Sequence, residues 1–219
     1  MKYMKKNKII ILGIISLSFI IAIYFYPQMP DKIASHWNAQ GQVDDYMSKF
    51  WGLFLMPVIS VGLLFLFILI PKIDPLKENI EKFRKYFDGF ILLIISYLFY
   101  TYLLTILWNI GIRFDMGQFM MPALGILFYY SGVLIEHSKR NWFIGIRTPW
   151  TLSSDSVWDK THRIGGKLFK VSGIIAFLSV FFPRYLILLV IVPVILSVIY
   201  TLIYSYSEYQ KETSLPNRF

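Results

Sequence analysis

Two polar segments, 27–49 and 136–167, hold the side chains whose types could do chemistry. The first contains an imidazole and an adjacent pair of carboxylates. The second contains three tryptophans, two imidazoles and several cations. Both lie between long apolar stretches. Because polar loops held by a rigid scaffold commonly carry binding and catalytic residues, function is expected in these two segments.

The first segment could hold a divalent cation through His36, Asp44 and Asp45. Catalytic zinc normally recruits three fixed protein ligands, however, and no helical spacing brings His36 beside Asp44. The favoured alternative is a folded turn around Gly41, in which Asn38 and Asp44 hydrogen-bond the local backbone. We therefore expect no metal ion and no other cofactor here. The candidate ligand-binding residues of this loop are His36, Asn38, Gly41 and Asp44.

The second segment contains the start of a helix. Ser153 or Ser154 is a suitable N-cap, and Asp155 is favourable at the positive end of the helix that follows. Further along, Asp159 and Arg163 are four residues apart and can form an ion pair on the helix surface. The segment is thus predicted to be partly helical and well capped.

A mixed aromatic and polar face is expected along that helix, because three- and four-residue spacing aligns Trp158, Thr161, His162 and Gly165. With Trp142 and Trp150 nearby, the segment suits the lipid headgroup layer, where an indole keeps its ring apolar and its N–H wet. Arg147 could stack on one of these rings or bind an acidic partner. An interfacial anchor is the simpler interpretation, and a binding surface is the alternative.

Apolar stretches dominate the composition, which is 56% hydrophobic and 16% charged. A soluble domain has about 45–50% apolar and about 25% charged residues. Several stretches approach the roughly 20 residues needed to span a bilayer. They predict an all-α, polytopic transmembrane helix bundle with about six spans, at 9–26, 50–70, 90–110, 117–135, 168–182 and 185–204. Pro183 and Arg184 are expected to form the turn between the last two.

The cations indicate the orientation, because positively charged flanks stay in the cytoplasm. The 22 Lys and Arg residues fall on the side of the chain termini and of segment 136–167, except Lys32, Lys49, Arg113 and Arg184. Both termini are therefore predicted to be cytoplasmic, in the cell membrane. The net charge of +9 then reflects topology, and direct nucleic-acid binding is not expected.

Several function classes are excluded or disfavoured. Zero Cys excludes disulfides, thiolate metal sites and thiol catalysis. Ionisable residues are absent from the middle of every predicted span, which disfavours a proton-coupled pump. The sequence has no phosphate-binding glycine loop, no H-E-x-x-H motif and no pair of polar catalytic residues at membrane depth. The chain is predicted not to be an enzyme.

Two features inside the spans indicate helix packing. A polar stripe runs down the third span, through Tyr97, Thr101, Thr105 and Asn109. Hydrogen bonds to neighbouring helices are the simpler explanation of this stripe, and a ligand path is the alternative. Gly125 and Gly132, seven residues apart in the fourth span, predict a close contact with another helix.

Segment 145–154, followed by 157–169, closely resembles the signature of the SdpI family of bacterial membrane immunity proteins. The candidate partner-binding residues in it are Arg147, Thr148, Pro149, Trp150, Thr151, Trp158, Thr161, His162, Arg163 and Gly166. The loop containing Pro30, Ile33, His36, Asn38, Gly41 and Asp44 resembles an N-terminal membrane domain of unknown function that many family members carry. We therefore expect an N-terminal region, 1–110, with an extracellular loop at 27–49. An SdpI-like region, 111–219, follows, and its cytoplasmic segment 136–167 is named the signature loop.

The resemblance implies a multi-pass protein of the cytoplasmic membrane that protects its producer from a secreted peptide toxin acting on that membrane. It also implies signalling, in which the toxin-engaged protein holds a small winged-helix repressor at the membrane. The expected partners are the lipid bilayer, such a toxin and such a repressor. From the residues alone, the alternative is a small-molecule transporter or a metal-dependent membrane enzyme that uses the His/Asp loop.

Overall fold

The computed structural model describes residues 2–214. Its α-helices are α1 Lys2–Phe25, α2 Lys49–Ile73, α3 Lys77–Lys82, α4 Arg84–Asn109, α5 Met116–His137, α6 Pro149–Ser153, α7 Asp155–Leu178 and α8 Leu186–Ser214. The strands are β1 Lys32–Trp37 and β2 Val43–Ser48. Single turns of 3₁₀ helix lie at Tyr26–Gln28, Ser179–Phe181 and Pro183–Tyr185.

Six segments in this range are helical, long and apolar enough to cross a membrane, as the hydropathy predicts. They are Asn7–Gln28, Lys49–Ile73, Arg84–Asn109, Met116–His137, Asp155–Phe181 and Pro183–Ser214. Large side chains such as Ile20, Phe65 and Leu196 point outward with about 60% or more of their surface exposed, which suits contact with lipid. The fifth membrane-spanning helix, α7, begins at Asp155, well before the predicted span 168–182. The amphipathic part of the signature loop is the first part of this same helix.

The prediction of an all-α fold is wrong in one place. β1 and β2 form an antiparallel hairpin in which Lys32 lies opposite Ser48 and Ile33 opposite Met47. The strands escaped prediction because Ile33 and Ala34, adjacent in β1, are both buried, so the sequence lacks the alternation that marks a half-buried strand.

The hairpin is fixed to the end of α4. Asn109 accepts a hydrogen bond from the Ala34 N–H at 2.9 Å and donates one to the Ala34 carbonyl at 3.1 Å. The other polar groups of the α4 stripe differ from expectation: Thr101 and Thr105 donate to carbonyls of α4 itself. The stripe therefore anchors a hairpin at its end and does not bond neighbouring helices along its length.

A close helix contact joins α5 and α7, which run antiparallel. Gly125 faces Gly173, and Gly132 faces Gly166. A Cβ on Gly132 would lie 2.6 Å from the Gly166 carbonyl oxygen, and one on Gly125 would lie 2.7 Å from that of Gly173. Small residues allow such backbone approach between membrane helices. The contact predicted for Gly125 and Gly132 is confirmed.

One apolar cluster connects the N-terminal helices to the rest of the bundle. It contains buried residues of α1, α2, α3 and α4, together with one residue of α5 and one of the signature loop: Ile11, Ile15, Ile70, Ile80, Phe83, Phe87, Ile91, Ile95, Leu134 and Ile144. The end of the bundle with the signature loop, here called the loop end, is thus packed against the first half of the chain. The opposite end, which carries β1 and β2, is called the hairpin end.

We predict that Gly132→Ala destabilises the protein by about 1–3 kcal/mol, the usual cost of forcing extra volume into a packed interface. Gly62→Ala is the matched control, since nothing lies within 4 Å of a Cβ at that helical glycine. Thermal unfolding of both variants in detergent measures the difference. Equal midpoints for the two would show that α5 and α7 do not require this close approach.

Candidate functional site

The signature loop is a folded unit whose first turn is organised by Asn141, a residue with no exposed surface. Its side-chain amide donates to the carbonyls of Lys139 and Ile144, both at 2.8 Å. Its Oδ1 accepts from the N–H groups of Phe143 and Ile144, at 2.9 and 2.6 Å. A buried amide satisfied on all sides holds one backbone conformation, so this turn is rigid.

His162 closes the loop against α7. Its Nε2 accepts from the Ile146 N–H at 2.9 Å, and its Nδ1 lies 2.8 Å from the Trp158 carbonyl. An amide N–H can only donate and a carbonyl can only accept, so the ring is the neutral tautomer with its proton on Nδ1. The imidazole also stacks on the Trp158 indole, with ring centres 3.9 Å apart.

Trp158 is part of this interior and is not an interfacial anchor. It has no exposed surface, and its Nε1 donates to the Ser138 carbonyl at 3.0 Å. The predicted face of Trp158, Thr161, His162 and Gly165 is confirmed, but it packs against the loop and α8. The Trp158 indole therefore does not reach lipid headgroups, because α5 ends close enough for Ser138 to cover it.

α6 is tied to α8 through hydroxyl groups. Thr148 caps α6 by accepting from the Thr151 N–H at 3.1 Å, while Thr151 Oγ1 accepts from the Thr148 N–H at 2.9 Å. Thr148 also donates to Ser205 on α8. Ser154 is the N-cap of α7, as predicted, and donates to Glu212. The hydrogen bonds from Thr148 to Ser205 and from Ser154 to Glu212 thus hold the loop on the last helix.

The first half of the chain supplies a further support. Asp74, only 2% exposed at the end of α2, accepts from the Trp142 N–H at 2.9 Å and from the Leu76 N–H at 2.6 Å. Asn79 donates to the Arg140 carbonyl at 2.8 Å. The contacts of Asp74 with Trp142 and of Asn79 with Arg140 join residues more than 60 positions apart in sequence, so sequence patterns could not reveal them.

Six of the ten candidate residues of the signature loop are buried, namely Thr148, Thr151, Trp158, Thr161, His162 and Gly166. Arg147, Pro149 and Arg163 are exposed, and Trp150 is half-buried. Trp142 is not among the predicted partner-binding residues, although the residue is 51% exposed. The signal in the sequence is the pair of adjacent large aromatic residues, Trp142 and Phe143, in a segment predicted to face the cytoplasm.

Two expected polar contacts are replaced by others. Arg147 neither stacks on an indole nor binds a carboxylate; it donates to the Trp142 carbonyl at 2.7 Å. Asp159 pairs with Lys139 at 3.1 Å and not with Arg163. The reason is again the nearness of the α5 end, which brings Lys139 over the first turns of α7.

A charged cleft of about 350 Å³ opens beside this loop. It is lined by Glu136, Lys139, Asp159, His162, Arg163 and Lys167. Glu136 is paired with Lys170 at 2.6 Å. Arg163 and Lys167 have no ion pair with any residue of the range 7–214. The cleft therefore presents cationic groups available to an anionic partner.

At the hairpin end, the turn around Gly41 is confirmed. Gly41 has φ +74°, and Asn38 Oδ1 accepts from the N–H groups of Gln40 and Gln42 at 3.0 Å. Asp44 differs from expectation, because its carboxylate lies 2.6 Å from Nδ1 of His36. The hairpin brings together two residues that no helical spacing could. Within the described chain no third potential metal-binding side chain joins them.

Beneath the hairpin lies a cavity of about 380 Å³, here called the hairpin cavity. It is surrounded by β1, the turn after it, α2, α4, α5, the Pro183–Tyr185 turn and the start of α8. The polar stripe of α4 contributes Tyr97, Thr101 and Thr105 to its wall. The candidate residues His36, Asn38 and Gly41 line it as well. The polar stripe of α4 therefore faces a cavity, which keeps open the alternative that the stripe belongs to a ligand path.

Six apolar helices, a covered cavity at one end and a folded polar loop at the other define a multi-pass membrane protein with two candidate binding regions. The sequence model of the SdpI/YfhL protein family matches residues 138–205, and that of a domain of unknown function, DUF1648, matches residues 13–61. Immunity protein SdpI of Bacillus subtilis (strain 168) is 32% identical over 209 residues, which cover 95% of this chain and 98% of that protein. The chain belongs to the SdpI family. No solved structure matches it.

We predict that Gly145→Ala opens the signature loop. Gly145 has φ +116°, and a Cβ there would lie 2.5 Å from Nε2 of His162. Gly111→Ala is the control, since Gly111 has φ +104° but no neighbour within 4 Å. In both variants an alanine is forced into a positive-φ backbone conformation, which costs about 1–2 kcal/mol. Only Gly145→Ala also displaces the imidazole. Trypsin cleavage after Arg147 should accelerate in Gly145→Ala alone; equal rates would refute the role of His162 as the closing contact.

Proposed function

We propose that this protein makes its cell tolerant to a secreted peptide toxin that acts on the membrane. The observation that carries the proposal is the likeness, over nearly the full length of both chains, to a protein named an immunity protein. The division into an N-terminal region, 1–110, and an SdpI-like region, 111–219, belongs to the same proposal. It is supported by the separate matches at 13–61 and 138–205.

We place both termini and the loop end in the cytoplasm and the hairpin end outside the cell. The support is the distribution of Lys and Arg, which favours the side of the signature loop. In this orientation a toxin arriving from outside meets the hairpin end first. A soluble cytoplasmic partner meets the loop end. The two ends then have separate partners.

The cytoplasmic partner proposed for the loop end is a small winged-helix repressor. Trp142 and Phe143 are exposed beside Arg147, and Arg163 lies at the charged cleft. Aromatic residues and arginine are enriched at protein interfaces and among the residues that dominate binding energy. The rigid loop would present these side chains without an ordering cost on binding.

The immunity proposal predicts that expression in a toxin-sensitive host, lacking its own immunity gene, preserves growth and membrane potential when the secreted toxin of a producing strain is added. A potential-sensitive dye and colony counts measure the outcome, with an empty vector as control. Depolarisation and killing equal to the vector control, at confirmed membrane expression of the protein, would refute immunity.

The signalling proposal predicts that Trp142→Ala combined with Arg163→Ala retains protection but loses induction of a repressor-controlled reporter. Both side chains are exposed, so the loop interior stays intact. Ser156→Ala, an exposed change on the first turn of α7, serves as the control and should leave induction unchanged. Full induction in the double variant would remove this surface from the repressor interaction.

A further inference from the structure

The hairpin cavity combines an apolar wall with hydrogen-bonding groups that protein atoms leave unused. We propose that it receives an apolar segment of the toxin peptide, with backbone amide groups of that segment bonded inside. This inference rests on the proposed immunity function, and it assigns that function a binding site at the hairpin end.

The apolar wall is rich in methionine. Of the eight methionines in the chain, Met56, Met116, Met120 and Met121 line this one cavity. Methionine side chains are unbranched and polarisable, so they adapt to different apolar shapes and are common at surfaces that accept varied peptide side chains. Leu186 and Ile187 extend the same wall. Such a lining suits the side chains of an apolar peptide.

The polar groups complement an amide. Trp37 lines the cavity, and its Nε1 is buried with no hydrogen-bond partner among the described residues. The hydroxyls of Thr101 and Thr105 donate to backbone carbonyls of α4, which leaves their oxygens free to accept from a ligand. The residues of the cavity wall thus include one unpartnered donor and two hydroxyl oxygens that can still accept. A backbone amide removed from water needs partners of both kinds.

The hydrogen-bonding groups of the cavity wall favour a peptide segment over a lipid acyl chain as the occupant. An acyl chain of a lipid is also apolar, but inside the cavity it could neither accept from the Trp37 N–H nor donate to the threonine oxygens. A peptide segment can do both. The position supports the same choice, because the hairpin end is the side that we place outside the cell, where a secreted peptide arrives.

The roof of the cavity is held in place. Asn109 fixes β1 through two hydrogen bonds to Ala34. At the other side, the turn approaches the start of α5, where a Cβ on Gly41 would lie 3.4 Å from the Asp115 carboxylate. The cavity is therefore a preformed feature of the fold, so binding need not first order the hairpin.

A labelling experiment tests the site directly. The chain has no cysteine, so Met121→Cys places a single thiol in the cavity and Tyr46→Cys a single thiol on the exposed strand β2. Maleimide labelling of the purified proteins is timed with the blocked tripeptide acetyl-Leu-Leu-Leu-amide and, separately, with dodecanol. At ten times its Kd, the peptide should slow labelling of Met121→Cys about tenfold, because only the free fraction reacts. Tyr46→Cys should label at an unchanged rate.

Adding Trp37→Phe to Met121→Cys should reduce the protection by the peptide, since an aromatic ring remains while the N–H, with the five-membered half of the indole, is lost. Slowing by dodecanol as strong as that by the peptide would identify a lipid site and overturn the proposal. Absence of any slowing by the peptide would overturn it as well.

In cells, Met120→Trp fills the cavity and should abolish protection against the toxin, whereas Phe119→Trp changes an exposed residue on the same helix and should preserve it. Equal gel-filtration profiles of the two variants establish that both are folded. If wild type protects and Met120→Trp protects equally, the cavity assignment is wrong. If wild type does not protect but the peptide still slows labelling, the immunity function fails while the peptide site stands.

Discussion

The contact between the backbones of α5 and α7 is the constraint on which the rest of the loop end depends. Lipid gives no hydrophobic drive for helices to associate, so close packing has to supply the attraction. The pairs Gly125 with Gly173 and Gly132 with Gly166 supply it along two turns spaced a heptad apart. They also fix where α7 begins relative to the end of α5.

That fixed offset explains the interior of the signature loop. With the two helix ends side by side, the Ser138 carbonyl reaches the Trp158 indole, and Lys139 reaches Asp159. The chain between them is short, and Asn141 and His162 satisfy its backbone groups from within. Residues that give the family its signature thus fall into two groups: buried side chains that fold the loop, and a few exposed ones available to a partner.

Much of this architecture follows from the sequence. Hydropathy gives the six helices, and glycine spacing gives the α5 contact. Cap chemistry narrows the start of α7 to Ser153 or Ser154, and Ser154 is the N-cap. These features depend on local composition or on one helix face. The sequence therefore contains them without knowledge of neighbouring elements.

The features that were missed depend on approach between distant segments. The sequence did not predict β1 because its adjacent residues Ile33 and Ala34 are both buried. They are buried because the hairpin packs against α2 and α4. The pairing of His36 with Asp44 needed the hairpin, and the support of Trp142 by Asp74 needed the ends of α2 and α5 to meet. The hairpin cavity exists only between such segments, so the stripe on α4 could suggest a ligand path but not its location.

We propose that the two ends of the bundle face different compartments, with the hairpin cavity outside and the signature loop inside. Labelling of intact cells with an impermeant maleimide tests it, using Tyr46→Cys on β2 and Ser156→Cys on the first turn of α7, both exposed. We expect immediate labelling of Tyr46→Cys, and labelling of Ser156→Cys only after the membrane is permeabilised. Labelling of Ser156→Cys in intact cells would contradict it.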